Sequence, residues 1–130
     1  MFLNTKLFDK LTAQAKDSPR LRMNFDLRNT SDDQSQRMLN ALEPGTVMPI
    51  HRHCGSSETV MVLRGKVKWL YYDENGKLTD TFIVAPGSNL CGLSVPKGQW
   101  HLECLESGTV IFEAKDGPYA PMMAEDVMEL

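Results

Sequence analysis

Polar and apolar residues alternate strictly over "RLRMNFDLR". Leu21, Met23, Phe25 and Leu27 interleave with Arg22, Asn24, Asp26 and Arg28. A period of two predicts a half-buried strand over residues 20–28. The preceding segment keeps a different rhythm. Leu7, Phe8, Leu11 and Ala15 fall on one helical face, Asn4 stands at a capping position, and Ser18-Pro19 ends the run, predicting a short helix through about Asp17. "QRMLNALE" fits either period, but its brevity and the following Pro44-Gly45 favour a strand.

From Gly45 onward the pattern is a series of short β segments: 46–53, 58–64, 66–73, 78–84, 90–95, 100–105 and 109–115. Turn residues separate them, including Asn75-Gly76 in "DENGK", Pro86-Gly87, Pro96-Lys97-Gly98 and Ser107-Gly108. Many short strands behind one leading helix predict an all-β antiparallel sandwich or barrel. The tail "DGPYAPMMAEDVMEL" reads as a loop with a last irregular or helical turn.

A chain of 130 residues predicts one domain with one real core. Its parts would be a helix and edge strand in 1–36, a barrel in 37–116 and a tail in 117–130. The net charge of −3 argues against nucleic acid, whose phosphates need a basic face. No run approaches the roughly 20 apolar residues of a membrane helix, and no signal peptide is evident, so a cytoplasmic protein is expected. Cys54, Cys91 and Cys104 are odd in number and form no CxxC pair, which predicts reduced thiols.

The chemistry concentrates in "GTVMPIHRHCGSSETVMVLRG". On a strand, His51 and His53 point to one side, about 6 to 7 Å apart, whereas a helix would set them nearly opposite. The HxH spacing therefore suits a metal grip only in the β reading. Glu58 opens the next strand, where a hairpin return aims it at the same point, and His101 follows the Pro96–Gly98 turn. Three imidazoles and one carboxylate suit one divalent ion such as Fe(II), Mn(II), Ni(II) or Zn(II). Glu103 is two past His101 and shares its side of the strand. It would be a partner for a ligating imidazole or a general base, or else a hydrated carboxylate at the barrel mouth. Parity turns Cys54 away from the ligands, predicting a buried inert thiol, and Cys104 is expected in the core or an interface.

These residues resemble the cupin superfamily, whose first motif is G-x5-H-x-H-x4-E-x6-G. Gly45, His51, His53, Glu58 and Gly65 match it without a gap. The second motif, G-x5-P-x-G-x2-H-x3-N, is matched at Pro96, Gly98 and His101, with Leu90 and Leu105 in place of its glycine and asparagine. "QRMLNALEPGT", "HRH", "GQWH" and "FEAKDGPYAP" further resemble the WbuC family of cupin-fold metalloproteins. The resemblance implies a double-stranded β-helix, or jelly-roll barrel, with one ion on His51, His53, Glu58 and His101. Two positions of an octahedral ion would stay open.

Arg37, Lys115 and Tyr119 belong to the WbuC-like segments and would either ring the pocket against an anionic substrate or lie on the surface. Three functions are consistent with this reading. WbuC-like proteins are associated with O-antigen and surface polysaccharide biosynthesis, implying a metal-dependent isomerase or epimerase of a sugar or sugar nucleotide. A mononuclear non-haem iron dioxygenase fits the open positions equally, and so does a non-catalytic module binding a small ligand, carbohydrate included. A homodimer is expected, as is common for single-domain cupins, with strand 20–28 adding to the partner's sheet.

Overall fold

The computed structural model describes residues 1–128; Glu129 and Leu130, the end of the expected tail, lie outside the described residues. The chain opens with α1 (Thr5–Asp17), and Asn4 caps it by accepting a hydrogen bond from the Leu7 amide at 3.1 Å. Strands follow as β1 (Arg22–Asp26), β2 (Ser35–Leu42), β3 (Ile50–His51), β4 (Glu58–Arg64) and β5 (Val67–Tyr72). The remainder are β6 (Leu78–Val84), β7 (Gly92–Val95), β8 (Trp100–Leu105), β9 (Thr109–Asp116) and β10 (Val127–Met128).

They form two antiparallel five-stranded sheets, ordered β1-β2-β9-β4-β7 and β10-β3-β8-β5-β6. This is the jelly-roll arrangement expected of a cupin, with a short N-terminal helix. Two apolar clusters hold it. Val60, Val62, Val67, Trp69, Val84 and Ile111 fill the barrel between the sheets. Outside the barrel, Phe8, Leu11 and Ala15 of α1 pack on Leu39, Ala41 and Val110, joined by Met23 and Phe25. The alternation in β1 thus has its explanation: odd residues meet the helix, and even ones face the other way.

Three expectations need correction. The strand expected at 46–53 is paired only at Ile50–His51, because Pro49 has no amide to donate and the loop before it winds towards β3. The strand expected at 90–95 begins at Gly92. Added there, a Cβ would lie 2.6 Å from the Val60 carbonyl oxygen, so glycine is required two residues after the motif position that Leu90 occupies. The tail has its helical turn at Ala124–Asp126, and it then adds β10 beside His51, an element its polar loop composition concealed.

Gly65 explains the last glycine of the first motif. Its φ is +88°, and a Cβ would fall 2.7 Å from the Thr109 Cα. Only glycine lets the turn from β4 to β5 press against the start of β9.

Candidate metal centre and cavity

His51 sits directly opposite His101 across the β3–β8 pair. His53 lies just beyond β3, where the second motif catches it: the Gly98 amide donates to the His53 carbonyl at 2.8 Å. The Pro96–Gly98 turn therefore fastens one histidine segment to the other. Between the two histidines, Arg52 points away from the site. Its guanidinium lies 3.1 Å from Asp126 and 4.6 Å from the centre of the Trp100 ring, tying the HxH segment to the tail.

The ring centres of His51 and His101 are 4.2 Å apart, and those of His53 lie 5.3 and 5.7 Å from them. One ligand atom from each ring falls within 4.8 Å of the others. Nitrogens bound to one ion stand at most about 4.2 Å apart, so the triad is within about half an ångström of closing on a metal. The tautomers are also set. Nδ1 of His51 donates to the Pro49 carbonyl at 2.9 Å, and Nδ1 of His101 to the Gln99 carbonyl at 2.9 Å. Each ring thereby keeps its Nε2 lone pair free. Nε2 of His101 is buried without a partner, a costly arrangement unless something binds it. Burial, then the neighbouring His51, lowers the His101 pKa to about 4, and burial lowers that of His51. Both are neutral near pH 7, as ligation requires.

His53 differs from the other two. Its Nε2 is 2.9 Å from the Glu58 carboxylate, and its Nδ1 is 3.3 Å from Lys115 Nζ. Burial works to raise Glu58, but the His53 hydrogen bond and the imidazole charges outweigh it and hold Glu58 at about 2. An ionised, buried carboxylate beside three imidazoles fits a divalent cation. The residues that would hold it are His51, His53 and His101, with Glu58 alongside.

Glu103 lies beside the triad, its side chain 9 % exposed, with Oε1 3.8 Å from His101 Nε2 and Oε2 without a partner. Burial, then the charges of Glu58 and Glu113, pushes its pKa well above the ordinary carboxylate range. Glu113 was not anticipated. It bonds to Asn40 at 2.9 Å, and burial plus the adjacent Glu58 raise it to about 8. Strand parity would have found it, since Ile111, Glu113 and Lys115 all face inward on β9.

His51, His53, Glu58, Glu103 and Glu113 line one cavity of about 320 Å³, together with Arg20, Arg22, Asn24, Gln36 and Asn40. Lys115 lines it near His53, and Tyr119 lines it at the rim, 63 % exposed. Arg37 does not. It is off-parity in β2, and its guanidinium turns outward to Asp33 at 3.5 Å and to the Leu27 carbonyl at 3.2 Å. The cysteine expectations also need revision. Cys54 is exposed rather than buried, donating to Asp126 at 3.3 Å, which raises its pKa, and Cys104 is exposed on the outer face of β8 rather than packed in the core, the first of its two expected places.

Solved structures with this fold include oxalate oxidase in complex with the substrate analogue glycolate, at 18% identity and TM-score 0.59, covering 82% of this chain and 56% of that one. The capsular polysaccharide assembling protein CapF from Staphylococcus aureus aligns at 21% identity and TM-score 0.64, over 80% of this chain and 30% of its own. KdgF from Halomonas sp. aligns at 16% identity and TM-score 0.59, over 78% and 84%. The chain thus spans about half of oxalate oxidase and under a third of CapF. No curated protein matches it in sequence. Among the described residues no helix is long and apolar enough to cross a membrane. A family model described as a domain of unknown function, DUF6016, matches residues 3–84, from the N-terminal helix through both histidines of the HxH segment to the end of β6. The chain has the cupin fold and belongs to the DUF6016 family.

Proposed function

We propose that this protein is a metal-dependent isomerase or epimerase acting on a sugar-like small molecule, with its ion on His51, His53, Glu58 and His101. The observation that carries the reading is the company the triad keeps. Three carboxyl groups share a cavity with it, and their environments drive them apart: Glu58 is held at about 2, Glu113 is raised to about 8, and burial pushes Glu103 well above the ordinary carboxylate range. Carboxyls separated in this way are what proton transfer between neighbouring carbons demands. A bound divalent ion would supply Lewis acidity, polarising a carbonyl or hydroxyl.

The chain's own residues do the rest. Glu103, made more basic by burial beside the histidines, would take the proton from one carbon as carboxylate and return it to the next, while Glu113, steadied by Asn40, holds a proton against Glu58. Lys115 keeps His53 oriented through Nδ1. The WbuC-like segments, linked in that family to surface polysaccharide biosynthesis, support a carbohydrate substrate, as does the fold shared with CapF. The expected dimer belongs to the same proposal: β1 is an edge strand, offering its free side to a second copy.

The test is deuterium uptake. Metal-loaded protein, incubated with aldoses and ketoses in heavy water, should place deuterium on a carbon of one of them, and Glu103→Gln should abolish this while keeping the metal. Oxygen consumption by the anaerobically iron-loaded protein, without deuterium uptake, would instead establish the dioxygenase reading.

A further inference from the structure

The wall of the cavity formed by the edge strand has no part in the proton chemistry above, yet it carries two arginines without partners. Arg28 pairs with Asp26 at 2.7 Å, Arg37 with Asp33 at 3.5 Å, Arg52 with Asp126 at 3.1 Å and Arg64 with Asp9 at 2.6 Å. Arg20 and Arg22 have no carboxylate partner among the described residues, and both line the cavity. The alternation in β1 places Arg22, and Arg20 lies just before the strand, across Leu21 with its φ of +55°. Met23 and Phe25 are taken by the helix, so Arg22 and Asn24 turn to the concave side, opposite Leu42 and Asn40. Arginine presents a planar fork of donors that matches carboxylate or phosphate oxygens, and two such forks two residues apart ask for an anion.

The same cavity holds two more unmet groups. Asn40 Oδ1 and Glu103 Oε2 are buried without a hydrogen-bond partner, and both residues face the cavity. Acceptors left bare in this way are suited to hydroxyl groups. Size sets the remaining limit. At about 320 Å³ the cavity lies at the lower end of the range of about 300–1,000 Å³ for ligand pockets, enough for a monosaccharide but not for one carrying a nucleotide.

We propose that the cavity binds a monosaccharide-sized hydroxylated anion, its carboxylate or phosphate held by Arg20 and Arg22 and its hydroxyls by Asn40 and Glu103. This rests on the sugar-directed reading of the metal site and narrows it from sugar nucleotides to sugar acids or sugar phosphates.

Calorimetric titration of the full chain, with and without zinc, tests it using four probes: glucuronate, glucose 6-phosphate, glucose and UDP-glucose. Glucuronate or glucose 6-phosphate should bind at least about 10-fold more tightly than glucose, whichever of the two is preferred identifying the anionic group. Arg20→Ala and Arg22→Ala should each weaken that binding about 10-fold or more, leaving zinc affinity unchanged, while Arg28→Ala changes neither. The proposal is overturned if neither anion binds, if glucose binds equally well, if UDP-glucose binds more tightly than both, or if the arginine variants bind like the parent. Loss of zinc binding alone would instead count against the metal reading, because the arginine dependence is read without zinc as well.

Discussion

Two stretches of the same barrel interior, built by the same strands, differ completely in what they hold. Along β4 the inward residues run from Glu58 to Val60 and Val62, and along β9 from Lys115 and Glu113 to Ile111. One stretch is sealed by valines, Ile111 and Trp69; the other gathers His51, His53 and three carboxyls around an open cavity. The dry part supplies the packing that fixes the strands in place. The wet part spends stability, since every buried ionisable group there needs a partner or carries a cost. Trp69 joins them, stacked 5.8 Å from His101 at an interplanar angle of 16° while filling the dry core.

The sharpest way to break this contrast is through that tryptophan. Trp69→Ala should cost about 3–5 kcal/mol by urea unfolding, with the histidine site lost alongside it. A loss under about 1 kcal/mol would mean that the dry part does not hold the barrel. Gly65→Ala should cost about 2–5 kcal/mol, combining a left-handed backbone penalty with the overlap on Thr109. A variant as stable as the parent would show that the turn can give way.

The wet part should respond in the opposite sense. Glu113 has its pKa raised to about 8 in the folded protein, so between about 4.5 and 8 the folded state holds more protons than the unfolded one. Metal-free protein should therefore lose stability from this group as pH rises through that window. His101 acts at the other side. Its pKa is lowered to about 4, so stability falls as pH drops from about 6.5 towards 4. Glu113→Gln should flatten the alkaline fall and stabilise metal-free protein at about pH 8 by about 1 kcal/mol, a few degrees in Tm. A destabilised variant at that pH would show that the ionised Glu113 is not costly. Smallest of all, Cys54→Ser should stay within about 0.5 kcal/mol of the parent, the thiol being exposed and outside the triad.

The contrast also explains what could be read from the chain. The helix, most strands and the HxH spacing were legible because each repeats with a period that hydrophobic burial enforces: Leu11 and Ala15 on α1, Val60 and Val62 on β4. Within the wet part that signal fails. Glu113 and Asn40 occupy inward positions, but their polarity makes them look like surface residues, and only the strand register reveals them. Arg37 looked equally suited to the cavity and lies one residue out of phase with it. β10 escaped notice because two residues beside His51 leave no periodicity to detect. Cys54 departs from strand parity because the paired part of β3 ends at His51.

The central claim is that His51, His53 and His101 converge to hold one divalent ion, and metal content after purification from the native cell and exhaustive dialysis tests it most directly. The parent protein should retain about one ion per chain. His51→Ala and His101→Ala should retain none while remaining folded by circular dichroism, and Cys54→Ser should match the parent. Stoichiometric metal in both histidine variants, or a folded parent that takes up no divalent metal even when supplied in excess, would contradict the account.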